Sequence, residues 1–146
     1  MRVTLIRHGE AGDDAPRDEL RSLTMRGRAT AARVGRSLRR RGGDFTLIAS
    51  SPLVRALQTA EIVAAGVGYG GRVVVTETLV PEGRVSRTLA WLATLEGEDS
   101  IALVGADRFP ALRKGEAVRF RLPEGPGHPG EVRWRIDPET GERETP

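Results

Sequence analysis

Two residues near the start of the chain, Arg7 and His8 in the stretch LIRHGE, have side chains that could do chemistry. The apolar run VTLI before them favours a buried strand, so both polar side chains stand where that strand would end. Ligands bind beyond the carboxyl ends of the strands in open α/β sheets. An imidazole at such a place can act as a nucleophile, and Gly9 lets the backbone come close to a ligand. His8 is therefore a candidate catalytic residue.

Arg55, in the stretch SSPLVRALQTAEIV, is a second candidate. The stretch predicts a helix with Ser51 as its N-cap and Pro52 at its first helical position. A helix N-terminus together with a guanidinium is a ready anion site. Two arginines, Arg7 and Arg55, beside the imidazole of His8 suit a phosphoryl group. Its negative charge is distributed over several oxygens, and a guanidinium can donate two hydrogen bonds to them at once. These residues predict a phosphoryl site.

Three segments together resemble the histidine phosphatase superfamily: RHGEA, then LTMRGRATA, then SSPLVRALQTAEI. The short length and the spacing look most like its small bacterial branch, the phosphohistidine phosphatases of the SixA type. The resemblance covers residues 1 to about 105 well and the terminal strands more loosely. It implies that His8 is the nucleophile and forms a phosphohistidine intermediate that water hydrolyses, with no cofactor and no metal. Such a histidine must attack as neutral imidazole, and we expect a hydrogen bond from its other nitrogen to the backbone.

The resemblance also implies roles for other residues. Arg7 and Arg55 would clamp the phosphoryl oxygens. Arg21, in LRSLT, is a further phosphate-binding candidate, although Ser22 stands where the family more usually has proline. Glu82, in LVPEG, falls in the loop where many relatives carry the proton donor to the leaving group. SixA-type relatives often lack an acid there, because an N–P bond needs little help to leave. Two interpretations of Glu82 stay open: a catalytic acid and an ordinary loop carboxylate.

The sequence departs from the family's pattern after the run IALVG. The family's next landmark is VGH, whose histidine is the second imidazole of the phosphate pocket, and this chain has Ala106 at that position. The following DRFPALRKG is short, and on the order of a dozen residues that usually form a further helix are absent. Asp107 is a poor substitute, because a carboxylate would repel phosphate. The other histidine, His128, lies in the loop PEGPGHPG, where we expect it to be exposed.

The elements that must position these residues alternate between strands and helices. Helical patterns run from Thr24 to about Arg41, from Ser51 onwards and from Val85 to Leu95. Apolar runs with β-propensity occur at Val3–Ile6, Phe45–Ala49, Val73–Val75 and Ile101–Val104. Thr24 is predicted to cap the first helix, and Gly42-Gly43 to end it. The alternation predicts an α/β fold with three layers, α/β/α, and a mainly parallel central sheet.

The C-terminal part changes character. AVRFRL and EVRWRI alternate strictly between apolar residues and arginine, which predicts a β-hairpin. We expect the hairpin arginines, such as Arg119, to form a solvated edge protected by charge. From about Asp137 onwards the residues are typical of a polar tail. The whole chain, residues 1–146, is thus predicted to be a single, shortened domain of the histidine phosphatase type.

The composition narrows the class of protein. The chain has 146 residues, of which 38% are hydrophobic and 29% charged, as in a globular domain with a real core. It has no cysteine, which excludes disulfides, thiolate metal sites and cysteine nucleophiles. No apolar run approaches the roughly 18 residues that a membrane span needs. No signal-peptide pattern precedes the first strand, so we expect a cytoplasmic protein with no membrane partner.

The charge gives little reason to expect a nucleic-acid partner. The net charge is +3 although the isoelectric point is about 10.4. Lys114 is the only lysine, so the positive charge is almost all arginine, which does not titrate until very high pH. The isoelectric point is therefore weak evidence for binding to nucleic acid.

The favoured hypothesis is a phosphatase that acts on a phosphohistidine protein or a small phosphate compound, weakened by the loss of the second histidine. Removing one pre-organised donor at such a site typically costs ~10²–10³ in rate. The runner-up is a phosphate- or phosphoprotein-binding module of the same fold, with the chemistry lost and the anion pocket kept. A nucleic-acid-binding protein is a distant third. The substrate and the oligomeric state do not follow from the sequence.

Overall fold

A seven-stranded sheet forms the centre of the part of the chain that the computed structural model describes, residues 1–105 and 112–146. The strands are β1 (Arg2–Arg7), β2 (Leu47–Ser50), β3 (Val74–Val75), β4 (Ser100–Gly105), β5 (Ala117–Arg121), β6 (Glu131–Ile136) and β7 (Arg143–Glu144). The helices are α1 (Met25–Arg40), α2 (Val54–Val67) and α3 (Val85–Ala93), and single 3₁₀ turns cover Asp18–Leu20 and Glu77–Leu79. None of the helices in these described ranges is long and apolar enough to cross a membrane.

The sheet has a parallel half and an antiparallel half. Its order is β3-β2-β4-β1-β5-β6-β7. The strands β3, β2, β4 and β1 pair in parallel, whereas β5, β6 and β7 continue the sheet from β1 in antiparallel pairs. The α/β class and the C-terminal hairpin of β5 and β6 are confirmed. The sheet as a whole is mixed, and its parallel half carries the strand that ends at His8.

The three layers are confirmed by the two cores that flank the sheet. On one face α1 and α2 bury a large aliphatic cluster that includes Val34, Leu38 and Val63 together with Ile6 and Ile48 of the strands. On the other face, a smaller cluster joins α3 to the sheet through Leu92, Leu79 and Leu103. Burial of aliphatic side chains on both faces explains why the central strands read as nearly continuous apolar runs.

The first helix begins and ends as predicted, and the second does not. Thr24 caps α1, since its Oγ1 accepts a hydrogen bond from the Gly27 amide at 3.0 Å. The prediction that Ser51 caps α2 is wrong, because the helix begins at Val54 and its N-cap is Leu53, without a side-chain cap. The physical reason is that the Ser51 amide donates to the carbonyl of Val104 at 3.0 Å, which holds Ser51 against β4 just beyond the end of β2.

Arg119 contradicts the expectation of a wholly solvated hairpin edge. It is only 5% exposed, and its guanidinium carbon lies 4.8 Å from the ring centroid of Trp134 and 5.4 Å from that of Phe45. Its Nε donates to Thr4 Oγ1 and its Nη1 to the carbonyl of Gly42, both at 3.0 Å. Because β6 and β7 extend the sheet beyond it, β5 is an interior strand, and the rings of Phe45 and Trp134 cover it at Arg119. Burial lowers the pKa of Arg119 to about 10.

The segment 137–146, expected as a polar tail, returns to the sheet and to α1. It contains β7, which pairs with β6. Ser37 Oγ donates to the carbonyl of Gly141 at 2.5 Å, and Arg33 Nη1 donates to the carbonyl of Pro138 at 2.8 Å. These contacts fasten the end of the chain along one side of α1.

Candidate active site

The site is built around His8, at the carboxyl end of β1. The imidazole is 2% exposed, and its Nδ1 lies 2.7 Å from the carbonyl oxygen of Gly9. Because a carbonyl can only accept a hydrogen bond, this contact places a proton on Nδ1. The expected hydrogen bond to the backbone is thus present. His8 presents Nε2 as its nucleophilic nitrogen.

Arg55, in the first turn of α2, contacts that nitrogen. Its Nε donates to His8 Nε2 at 3.3 Å, so Nε2 carries a lone pair, and the guanidinium is only 1% exposed. Its other two nitrogens donate to Asp18, Nη1 to the backbone carbonyl at 2.8 Å and Nη2 to carboxylate Oδ2 at 3.1 Å. The guanidinium therefore connects the imidazole to the 3₁₀ turn Asp18–Leu20. The pairing of Arg55 with His8 was expected from the sequence motifs, whereas no motif pointed to Asp18.

Arg21 is connected to Arg55 through the same aspartate, Asp18. Its Nε donates to Asp18 Oδ1 at 3.0 Å and its Nη1 to Asp13 Oδ1 at 3.1 Å. Hydrogen bonding by Arg55 is the largest cause that lowers the pKa of Asp18, and Arg21 adds to it. Asp18 is therefore a carboxylate at physiological pH, held between two guanidinium groups.

Arg7 is anchored on the segment that precedes β5. Its Nη1 donates to the carbonyl of Leu112 at 2.7 Å, and its backbone amide donates to the carbonyl of Glu116 at 3.0 Å. The amide of Gly115 donates to the carbonyl of His8 at 3.0 Å. Segment 112–116 thus fixes the backbone on either side of the Arg7–His8 peptide bond.

Two of the remaining candidates, Glu82 and His128, make no hydrogen bond or ion pair with His8. Glu82 is an exposed residue of the loop before α3 and has no hydrogen bond or ion pair with another described residue. His128 is exposed as expected, and its Nδ1 lies 3.4 Å from Glu124 Oε2. Ala106 and Asp107 lie outside the described residues. Across residues 1–105 and 112–146, no group of three or more His, Cys, Asp or Glu side chains could hold a metal ion.

Two polar residues of α2 that sequence analysis left without a role hold the site together. The hydroxyl of Thr59 is buried, accepts from the Gly9 amide at 3.2 Å and donates to the carbonyl of Arg55 at 2.8 Å. Gln58 Oε1 accepts from the Leu23 amide at 2.8 Å. The available signal was the helical spacing in RALQT, which places Arg55 and Thr59 four residues apart on one face.

The loop after His8 lies directly against the first turn of α1. An added Cβ at Gly9 would lie 2.8 Å from the carbonyl oxygen of Gly27, and an added Cβ at Gly27 would clash with the carbonyl oxygen of Glu10. Only glycine permits two backbones to approach this closely. The glycine of the RHG motif and the glycine of LTMRGR are therefore the two sides of one contact.

Comparison with known proteins agrees with this arrangement. The family model of the histidine phosphatase superfamily (branch 1) matches residues 3–80. The chain is 37% identical over 123 residues to an uncharacterized protein of Picosynechococcus, which covers 82% of this chain and 74% of that protein. It is 29% identical over 112 residues to the phosphohistidine phosphatase SixA of Escherichia coli, covering 77% of this chain and 70% of SixA. A solved structure of the protein histidine phosphatase SixA complexed with tungstate superposes with a TM-score of 0.85 at 25% identity, over 94% of this chain and 97% of that one. The chain belongs to the histidine phosphatase superfamily.

Proposed function

We propose that the protein is a phosphatase that hydrolyses phosphohistidine or a small phosphate compound through a phosphohistidine intermediate on His8. Membership of the family and the likeness to SixA support phosphatase activity in general. The observation that carries the specific proposal is the state of His8: a buried imidazole with its proton on Nδ1 and its Nε2 lone pair beside the Arg55 guanidinium. This is the form in which a histidine can attack phosphorus.

The proposed reaction has two steps. In the first, the hydrogen bond from Arg55 Nε to His8 Nε2 gives way, Nε2 forms a bond to phosphorus while the bond to the leaving group breaks, and the leaving group takes a proton from solvent water. In the second, water attacks the phosphohistidine, releasing inorganic phosphate and restoring neutral His8. The Gly9 carbonyl stabilises the Nδ1 proton as positive charge develops on the ring, and Arg55 faces the place where negative charge develops on the phosphoryl oxygens.

The surroundings of Glu82 bear on the class of substrate. A proton donor must be within hydrogen-bond reach of the leaving group, and no described residue makes a hydrogen bond or ion pair that would orient the exposed Glu82 as such a donor. A phosphoramidate needs little protonation to leave, whereas an alkyl phosphate needs a strong acid nearby. An N–P substrate, such as phosphohistidine on a protein, is therefore the class that the site could turn over without help from Glu82. The name of the relative SixA, a phosphohistidine phosphatase, points to the same class.

The second candidate function, a binding module that keeps the anion pocket without turnover, is favoured by Ala106. Loss of one pre-organised donor typically slows such chemistry by ~10²–10³. If the protein is a weakened enzyme, Ala106→His should raise its turnover of a phosphoramidate, and the gain should vanish when His8→Ala is added. A stable Ala106→His protein with no turnover above the His8→Ala background would favour the binding module.

Trapping the intermediate decides between the two functions. The wild-type protein would be incubated with a radiolabelled phosphoramidate, quenched in alkali, which preserves phosphohistidine, and analysed for label. We expect label on the wild type and on His128→Ala, the matched control that removes the exposed histidine, and none on His8→Ala. An unlabelled wild type that still binds phosphate would refute the enzyme and leave the binding module.

A further inference from the structure

Asp18 occupies the positively charged side of the site. Its backbone carbonyl and Oδ2 accept from two nitrogens of Arg55, and Oδ1 accepts from Arg21 Nε. The Asp18 side chain is 64% exposed whereas Arg55 is 1% exposed, so the carboxylate covers the buried guanidinium from the solvent side. Asp18 thus binds the terminal nitrogens of Arg55, while Nε of the same group faces His8.

A carboxylate and a phosphoryl group make the same kind of bond to a guanidinium. Both present oxygens that accept charge-assisted hydrogen bonds from arginine. An anion beside His8 must therefore share the charge of Arg55 and Arg21 with Asp18, and it is also repelled by the Asp18 carboxylate itself. The contacts that hold the two arginines in place in the free protein also weaken their attraction for a bound anion.

We propose that Asp18 sets the affinity of the site: it positions Arg55 and Arg21 in the free protein and lowers the affinity for inorganic phosphate, so that the product leaves readily. The proposal rests on the proposed function, since it concerns the same phosphoryl site. Asp18 is a positioning residue in this scheme, because it acts on the phosphoryl group through the two guanidinium groups.

Isothermal titration with inorganic phosphate, at neutral pH and low salt, tests the proposal. Asp18→Asn keeps the shape and the backbone contact and removes the charge, and we expect it to bind phosphate on the order of tenfold more tightly than the wild type. The matched control is Asp13→Asn, which removes a 96% exposed carboxylate that contacts Arg21 and not Arg55. We expect its affinity to stay within about twofold of the wild type, because exposed pairs contribute little.

Product inhibition gives a second readout that a purely structural role would not move. In steady-state turnover of a phosphoramidate, the inhibition constant of phosphate for Asp18→Asn should fall by the same factor as the dissociation constant. Equal or weaker binding by Asp18→Asn, or the same tightening by Asp13→Asn, would overturn the proposal. Asp18→Ala, at this exposed position, repeats the test without an amide.

Failure of this proposal can be told apart from failure of the proposed function. If the wild type and Asp18→Asn bind phosphate equally while Arg55→Ala does not bind, the anion site stands and only the role of Asp18 is refuted. If neither the wild type nor Asp18→Asn binds phosphate, the role of Asp18 is refuted, and the proposed function is then decided by labelling of His8 alone. Labelling of His8 is measured separately and does not depend on the affinity for phosphate.

Discussion

Replacing Thr59 by valine tests whether the RALQT segment of α2 holds the RHG motif in place through the Thr59 hydroxyl. The substitution keeps the shape of a fully buried side chain and removes the acceptor of the Gly9 amide and the donor to the Arg55 carbonyl. The carbonyl can keep its helical hydrogen bond, but the Gly9 amide is left buried without a partner. A buried unsatisfied donor costs about 1–3 kcal/mol, so the free energy of unfolding should fall by about that amount.

The same substitution should slow catalysis, because the Gly9 carbonyl orients His8. A shifted Gly9 peptide would loosen the hydrogen bond to Nδ1 and move Nε2 away from Arg55. A misplacement of ~1 Å can cost as much as 10²-fold in rate, and we expect a loss of kcat of at least about tenfold.

The assay for Thr59→Val is urea unfolding together with steady-state turnover of a phosphoramidate. Thr88→Val is the matched control, since the hydroxyl of Thr88, on α3, donates to the Thr78 carbonyl at 3.0 Å and makes no hydrogen bond with His8, Gly9 or Arg55. It should lose some stability and keep its kcat. If Thr59→Val has the turnover of Thr88→Val, the hydroxyl does not position the nucleophile and the reasoning is refuted.

Three further predictions concern Glu82, Gly27 and Arg119. If Glu82 is the proton donor, Glu82→Gln should slow hydrolysis of an alkyl phosphate on the order of 10²-fold and hardly affect a phosphoramidate; equal losses on both substrates would indicate a structural role instead. Gly27→Ala should destabilise the protein by about 1–3 kcal/mol in thermal or urea unfolding, although alanine favours helices, because the methyl group meets the Glu10 carbonyl; a more stable variant would contradict the close contact. Because burial lowers the pKa of Arg119 to about 10, Arg119 loses its proton at a lower pH in the folded state than in the unfolded state. The free energy of unfolding of the wild type, relative to that of Arg119→Met, should therefore rise as pH increases above about 10. A stability difference that stays flat from pH 9 to 11 would count against a lowered pKa.

Sequence patterns predict an element correctly where its bounds depend on residues within it or directly beside it. The first helix follows from its apolar spacing, the Thr24 cap and the Gly42-Gly43 stop, and the structure has it at Met25–Arg40. The start of α2 could not be predicted in this way. A capping serine and a proline are good local signals, but the Ser51 amide is taken by Val104 of a strand that is far away in sequence.

Two other features depend on contacts between distant parts of the chain. The alternation in β5 separates an apolar face from an arginine face. It does not show that the rings of Phe45 and Trp134 bury Arg119 on the arginine face. Asp18 lies in a polar loop whose composition suggests solvent exposure, and its role depends on two guanidinium groups that only the fold brings together. The contact of Arg55 with His8 could be predicted, because both motifs resemble those of one family and that family brings them together in its fold.

The contact between Gly9 and Gly27 has a consequence for diagnosing activity from sequence signatures. Both glycines are required because two backbones touch, and this requirement is the same whether or not a phosphoryl group is ever transferred. A chain of this fold that had lost all turnover would still need them in order to fold. The glycines of the RHG and LTMRGR motifs therefore report on architecture, and an assignment of activity to any chain of this type has to be based on the histidine, the arginines and the chemistry measured at them.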